Sequence, residues 1–163
     1  MIAPTANWQG KIWPAERFLE LIISLKKNPR FKKTIFILVG PTNEKKLISC
    51  ILDKKISCVL DLFGKSSLLE IFYIMKLCSF FIGNDSGLMH MASLANIKTI
   101  GLFGPSDKEK YKPWGYENLA ISSIKSPDDL MGHDSFSAKK SSSLMLDLET
   151  KKVLKEVINF ISK

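Results

Sequence analysis

Short apolar runs alternate along this chain with longer segments in which apolar residues recur every three or four positions. The short runs predict β-strands, and the longer segments predict helices that pack one face on a sheet. Strands are predicted at 2–5, 34–39, 58–60, 80–83 and 99–103, and the helices between them include 44–52 and 68–78. This alternation is typical of βαβ units. The predicted fold class is therefore α/β, a Rossmann-like doubly wound parallel sheet.

Local signals refine the organisation of the chain. Ser67 and Glu70 have the spacing of a capping box, which marks the start of the helix predicted at 68–78. Residues 122–143 lose the periodic pattern among Ser, Lys, Asp and Gly, which predicts a loop, whereas 149–162 have the pattern of a closing amphipathic helix. With 163 residues, the whole chain is expected to form one domain.

The most informative segment, 80–95, consists of an apolar strand, the polar turn Asn-Asp-Ser-Gly at 84–87 and a helix. N–H groups in the first turn of a helix have no intrahelical partner, and the helix dipole places partial positive charge there. This layout therefore favours a bound phosphate. Gly87 allows a ligand to approach the backbone closely. Because His90 lies four residues after Ser86, its imidazole is expected beside the same site.

Polar residues also follow two other predicted strands. Thr5 and Lys11 lie after the first strand, and Glu44 lies after the second. Ligands of open α/β sheets bind at the carboxyl ends of the strands, so these turns are expected to meet in one crevice. Lys11 is a candidate partner for phosphate, and Glu44 is a candidate acceptor for the hydroxyls of a ribose.

Simpler interpretations stay open for these residues. Asp85 or Ser86 can cap the helix, and His90 can be a hydrogen-bonded histidine near the core. Lys11 can be an ordinary solvated lysine, and Glu44 can be an acid that interacts favourably with a helix dipole. The residues alone do not choose between these roles.

Charge and composition narrow the function classes. The chain carries 24 basic and 16 acidic residues, a net charge of +8, which favours anionic partners such as nucleotides or acidic lipid head groups. Nucleic acid is not expected, because the lysines are scattered and no aromatic RNA-binding motif occurs. No apolar run approaches the roughly 18 residues of a membrane span, and the first residues lack the order of a signal peptide, so a cytoplasmic protein is expected. No metal site is predicted, because metal ligands are not clustered.

A larger pattern is formed by five segments in order. They are 11–18 (KIWPAERF), 38–40 (LVG), 61–68 (DLFGKSSL), 84–92 (NDSGLMHMA) and 102–106 (LFGPS). Together they resemble glycosyltransferase family 9, which contains the ADP-heptose:lipopolysaccharide heptosyltransferases. The resemblance weakens after about residue 122. It implies a GT-B architecture, in which two Rossmann-like domains face each other across a cleft, and the chain is similar to the C-terminal, donor-binding domain.

The resemblance also implies residue roles. The family's donor site around the diphosphate and sugar is matched by Thr5, Lys11, Asp85, Ser86, Gly87 and His90, and its ribose-binding acid is matched by Glu44. The implied donor is an ADP-sugar, with ADP-heptose expected, and neither a cofactor nor a metal ion is implied. In the implied mechanism an acceptor hydroxyl attacks the anomeric carbon with inversion. Lys11 and the helix N-terminus would stabilise the leaving diphosphate.

No catalytic residue is expected in this chain, because the family's general base belongs to an N-terminal acceptor-binding domain that would precede Met1. The chain alone is therefore predicted to bind a nucleotide-sugar donor but to transfer little or nothing. The expected partners are that domain or chain and a glycolipid acceptor, a lipopolysaccharide core or related glycan, at the inner face of the cytoplasmic membrane. The alternative function is a non-catalytic module that binds a nucleotide or nucleotide-sugar.

Overall fold

A parallel sheet positions the candidate site. The computed structural model describes residues 1–115, 117–132 and 142–162. The strands are β1 Ile2–Ala3, β2 Phe36–Leu38, β3 Val59–Asp61, β4 Phe80–Asn84, β5 Lys98–Phe103 and β6 Asn118–Ser122. They pair in the order β3-β2-β1-β4-β5-β6, and every pairing is parallel. The predicted doubly wound α/β fold class is confirmed.

The strand order reverses beside β1. The chain moves outward from β1 through β2 to β3, and then crosses back to lay down β4, β5 and β6 on the other side. The register places Ile2 beside Leu38 on one side and beside Ile82 on the other. In such sheets a crevice forms at the reversal, outside the carboxyl ends of the strands. The segments that follow β1, β2 and β4 therefore meet there.

Helices connect the strands and cover both faces of the sheet. The α-helices are α1 Ala15–Lys27, α2 Ser49–Leu52, α3 Leu68–Lys76, α4 Gly87–Leu94, α5 Lys108–Tyr111, α6 Pro127–Met131 and α7 Thr150–Ser162, and 3₁₀ helices lie at Gln9–Lys11, Pro29–Phe31 and Thr42–Ile48. The capping box predicted from Ser67 and Glu70 opens α3, with both of its hydrogen bonds present. The structure also has a helix, α7, where the closing helix is predicted.

Three segments differ from the predicted elements. The helix predicted at 44–52 is instead a 3₁₀ helix followed by the single turn α2, because the chain turns out of β2 so tightly that the N–H of Glu44 bonds the carbonyl of Pro41. The loop predicted at 122–143 contains α6, and residues 133–141 lie outside the described residues. Strand β6 is absent from the predicted elements, because its apolar stretch is only three residues long, lies between Asn118 and Ser122, and is mostly half-buried at the sheet edge.

Different helices cover the two faces of the sheet. Helices α1, α2 and α7 pack on one face, where Trp13 stacks edge-to-face on Phe18 with ring centroids 4.9 Å apart. The indole N–H of Trp13 donates to the carbonyl oxygen of Leu148 at 2.7 Å, which ties the segment before α7 to the start of α1. On the other face, α3 and α4 cover the sheet with buried residues that include Ile71 and Met89.

Candidate functional site

An open cleft of about 310 Å³ lies where the strand order reverses. The segment after β1, the 3₁₀ helix after β2 and the N-terminal part of α4 all line this cleft. Four of the predicted site residues line it: Thr5, Glu44, Ser86 and Gly87. The expectation that polar turns after separate strands meet in one crevice therefore holds for these four residues.

The N-terminus of α4 is open toward the cleft. Ser86 is the N-cap residue, but its side chain accepts no hydrogen bond from the helix, and the carboxylate of Asp85 is bonded elsewhere. Neither side chain therefore caps the helix with a hydrogen bond, although Ser86 occupies the N-cap position. Within the described ranges, the buried Oγ of Ser86 has no hydrogen-bond partner. A Cβ added to Gly87 would meet no atom within 4 Å, so the space beside the backbone of this residue is open.

Lys11 is held in place by Asp85. It ends the 3₁₀ helix Gln9–Lys11, and its Nζ lies 2.7 Å from Oδ2 of Asp85. The side chain of Asp85 is only 7% exposed and that of Lys11 is 26% exposed, so Lys11 is not an ordinary solvated lysine. Its ammonium also lies 5.8 Å from the centre of the Tyr111 ring. The ion pair therefore fixes the ammonium of Lys11 beside Asp85, the residue that directly precedes Ser86.

Asn84 supports this arrangement, and the sequence analysis does not identify it. The side chain is fully buried at the end of β4, and its Oδ1 accepts a hydrogen bond from the backbone N–H of Trp13 at 3.1 Å. Asn84 and Asp85 therefore hold two positions of the same segment, Trp13 and Lys11. The signal in the sequence is a carboxamide that directly follows an apolar strand and precedes the acidic residue of the turn.

Glu44 and Thr5 line the cleft in different ways. Thr5 is 4% exposed, whereas Glu44 is half-buried in the first turn of its 3₁₀ helix. A carboxylate at this position can accept hydrogen bonds from a ligand in the cleft, and it can also interact favourably with the helix terminus. Both interpretations of Glu44 remain compatible with its position.

His90 lies one turn into α4 and is half-buried. It is not among the residues that line the cleft, and its imidazole makes no hydrogen bond to the described part of the chain. Among the described residues, His90 therefore has no partner that would make it a hydrogen-bonded histidine near the core. A role for His90 beside the anion site stays a prediction.

An apolar wall is the part of the cleft that the sequence analysis misses. Leu68 from α3, together with Leu88 and Met91 from α4, lines the same cleft as Glu44. The spacing of Leu88 and Met91 predicts positions packed on a sheet, and periodicity cannot distinguish a packed position from one that borders an open cleft. A flat apolar group fits against such a wall.

A second charged cluster lies at the carboxyl end of β3. Oδ2 of Asp61 is 2.6 Å from Nζ of Lys45 and 3.0 Å from Nζ of Lys65, and Oδ1 accepts the N–H of Phe63 at 2.9 Å. Burial raises the pKa of the Asp61 carboxyl, but the hydrogen bonds from the two lysines and from Phe63 outweigh it and lower the pKa to about 2. This cluster fixes the segment between β3 and α3.

The low pKa of Asp61 predicts a pH-dependent stability. Because the pKa falls from 3.8 to about 2 on folding, the ionised carboxylate stabilises the fold above about pH 4, and this contribution is lost as the pH falls toward 2. Because both lysines are partly exposed, solvent screens their interaction with Asp61, so we expect a loss of about 1–2 kcal/mol. Urea unfolding between about pH 5 and pH 2 should show this loss for the wild type but not for Asp61→Asn. If the free energies of unfolding of the two proteins fell equally with pH, the contribution assigned to Asp61 would be contradicted.

Residues 1–115, 117–132 and 142–162 contain neither a cluster of metal ligands nor a helix that could span a membrane. No group of three His, Cys, Asp or Glu side chains in these ranges is arranged to hold a metal ion. No helix in the same part of the chain is long and apolar enough to cross a membrane.

Comparison with known proteins identifies relatives of the chain. Residues 1–137 match the profile of glycosyltransferase family 9 (heptosyltransferase). Lipooligosaccharide heptosyltransferase 2 of Campylobacter jejuni is 28% identical over 115 residues, which cover 69% of this chain and 35% of the relative. The structure of the E. coli ADP-heptose lps heptosyltransferase II has a TM-score of 0.79 at 21% identity, and the match covers 99% of this chain and 45% of that chain.

A more distant structural neighbour is TibC of enterotoxigenic E. coli. It is described as a dodecameric iron-containing heptosyltransferase and was solved in complex with ADP-D-beta-D-heptose. The complex has a TM-score of 0.62 at 16% identity, and the match covers 99% of this chain and 44% of that chain. At this level of identity the neighbours share the fold.

The present chain is shorter than these relatives. It spans about a third of the length of the Campylobacter protein and 45% of heptosyltransferase II. The family match nevertheless covers most of it, and all five segments that resemble the family lie inside the matched range. The chain therefore belongs to glycosyltransferase family 9, the heptosyltransferase family.

Proposed function

We propose that this chain is the donor-binding half of a GT-B glycosyltransferase that transfers a sugar with inversion from an ADP-sugar, of the ADP-heptose class, to a lipopolysaccharide core or related glycan. One observation carries the proposal. The N-terminus of α4 opens into the cleft without a capping side chain, and the buried Oγ of Ser86 lacks a partner among the described residues. A diphosphate satisfies both groups at once.

The rest of the cleft suits the other parts of a nucleotide. With a diphosphate at Ser86 and Gly87, we place the ribose at Glu44, which lines the same cleft. A purine base then packs on the apolar wall formed by Leu68, Leu88 and Met91. The names of heptosyltransferase II and of the TibC complex, which refer to ADP-heptose, support adenine as the base.

In the proposed transfer step, negative charge develops on the leaving diphosphate. The acceptor oxygen forms a bond to the anomeric carbon, the bond from that carbon to the diphosphate breaks, and the hydroxyl proton passes to a base. The leaving diphosphate gains negative charge, which the N-terminus of α4 and the ammonium of Lys11 stabilise. In this proposal these groups take the place of a metal ion. We place the general base in an acceptor-binding half outside this chain.

The chain spans less than half of the length of these relatives. This supports a division in which the chain binds the donor and a second half is needed for sugar transfer. A donor half keeps its nucleotide contacts, whereas acceptor positioning and proton abstraction, worth several orders of magnitude in rate, need the other half. The proposed partners are therefore an N-terminal acceptor-binding domain and a glycolipid at the inner face of the membrane. Binding without transfer is the expected behaviour of the chain alone.

Calorimetric titration of the chain with ADP, UDP and GDP tests the proposal. We expect ADP to bind most tightly and EDTA to leave its affinity unchanged, because the diphosphate charge is balanced by Lys11 and by α4. Absence of binding to all three nucleotides would overturn the donor site, and loss of ADP binding in EDTA would overturn metal independence. If ADP binds but an added acceptor-binding half restores no transfer, the chain is a non-catalytic binding module.

A further inference from the structure

Helix α3 turns an apolar ridge toward solvent. The α3 ridge consists of Leu69 and Tyr73 on the helix and Leu77 directly after its last residue; these side chains are spaced by four residues and are 64%, 58% and 88% exposed. Ile71 and Met75, on the opposite side of the helix, are buried against the sheet. The outer side of a surface helix usually carries polar residues. An apolar row in that place indicates an interaction surface.

The ridge connects the two ends of the domain. Leu68, beside its first member, lines the cleft at the carboxyl edge of the sheet. Leu77, its last member, lines a second hollow of about 450 Å³, which includes Met1 and Phe80 near the amino edge. This hollow contains another exposed apolar side chain, Ile35. A continuous apolar strip therefore runs from the cleft down one side of the domain.

Positive charges accompany the strip. Lys76 lies on the outer side of α3, with its ammonium 5.7 Å from the centre of the Phe72 ring. Arg30 and Lys33 border the hollow at the far end. Glu70, the acid on α3, accepts hydrogen bonds from Ser67 in the capping box. Apolar side chains bordered by cations complement a surface that has anionic groups on its outside and an apolar layer beneath them.

We infer that the α3 ridge docks on a bilayer that contains anionic lipids. Leu69, Tyr73 and Leu77 enter the boundary between head groups and acyl chains, while Lys76 and Lys33 pair with lipid phosphates. A second copy of the chain fits the strip less well, because it would bring the same cations face to face. The docking does not depend on the proposed donor site, but it would place the cleft beside the membrane that holds a glycolipid acceptor.

Sedimentation with vesicles tests the docking. We expect the chain to bind vesicles of equal parts phosphatidylglycerol and phosphatidylethanolamine, but not vesicles of phosphatidylcholine. The variant with Leu69→Ser, Tyr73→Ser and Leu77→Ser should bind at least about tenfold more weakly. Lys76→Gln should cost about fivefold. Ile124→Ser, which removes an equally exposed apolar side chain just after β6, is the matched control and should bind like the wild type.

Four outcomes would overturn the docking: no sedimentation of the wild type, equal binding to phosphatidylcholine, full binding by the triple variant, or a solution dimer that the triple variant dissociates. Calorimetry with ADP separates this inference from the donor site. The triple variant should bind ADP like the wild type, which also shows that it is folded. A wild type that binds vesicles but not ADP would contradict the proposed function and leave the docking in place.

Discussion

Replacement of Lys11 by methionine is expected to reduce both stability and donor binding. Methionine keeps most of the aliphatic side chain but leaves the carboxylate of Asp85, only 7% exposed, without its cation. We expect a loss of about 2–3 kcal/mol in the free energy of unfolding, measured with urea. Affinity for ADP should fall about 10- to 100-fold in calorimetry, because a charge-assisted hydrogen bond to phosphate is lost.

A double variant separates the two roles of Lys11. In Lys11→Met combined with Asp85→Asn neither charge is buried alone, so part of the lost stability should return. Affinity for ADP should stay low, because the ammonium is still absent. Lys112→Met, which breaks an exposed ion pair with Glu109, is the control and should change neither property appreciably. If ADP binding recovers together with stability, Lys11 only positions Asp85 and does not contact the donor.

Replacement of Gly87 by alanine should weaken ADP binding without harming the fold. The backbone at Gly87 is not left-handed, and an added Cβ meets no protein atom within 4 Å. Alanine also favours a helix over glycine by about 0.5–1 kcal/mol, so stability should stay the same or rise. The new methyl group occupies the space through which a diphosphate approaches the first N–H groups of α4. Affinity for ADP, measured by calorimetry, is expected to fall at least about tenfold.

The combination of unchanged stability and reduced affinity makes this variant informative. Pro127→Ala alters the first residue of another helix, α6, away from the cleft, and should leave ADP binding intact. Wild-type affinity in Gly87→Ala would mean that no ligand approaches this part of the backbone. A large loss of stability would mean that glycine is needed for packing instead.

The fold class follows from the sequence more readily than the strand order does. Alternation of strands and helices is a local pattern, and it predicts the parallel sheet correctly. The order depends on which connection crosses back over β1, a choice made by the long-range packing of α3 and α4 on one face. Strand β6 could not be predicted in this way, because a short apolar stretch between polar residues at a half-buried sheet edge gives only a weak pattern.

The candidate site shows the same division between local and long-range information. The open helix terminus at Ser86 and Gly87 is predicted from a contiguous motif, and the structure leaves it uncapped. The contact of Lys11 with Asp85 joins residues 74 positions apart, so no spacing rule could reveal that the lysine is already paired. Leu88 and Met91 pack against the core as their spacing predicts, but they also border the cleft, and helical periodicity cannot reveal this second role.

Backbone amide NMR of the chain during titration with ADP tests the central claim most directly. If the N-terminus of α4 binds the diphosphate, the N–H resonances of Ser86, Gly87 and Leu88 should shift most, with smaller shifts at Glu44 and Lys11. Saturation should occur at the affinity found by calorimetry. Shifts centred elsewhere, for example on the hollow near Leu77, or no shifts at saturating ADP, would contradict the account of this cleft as a nucleotide-sugar donor site.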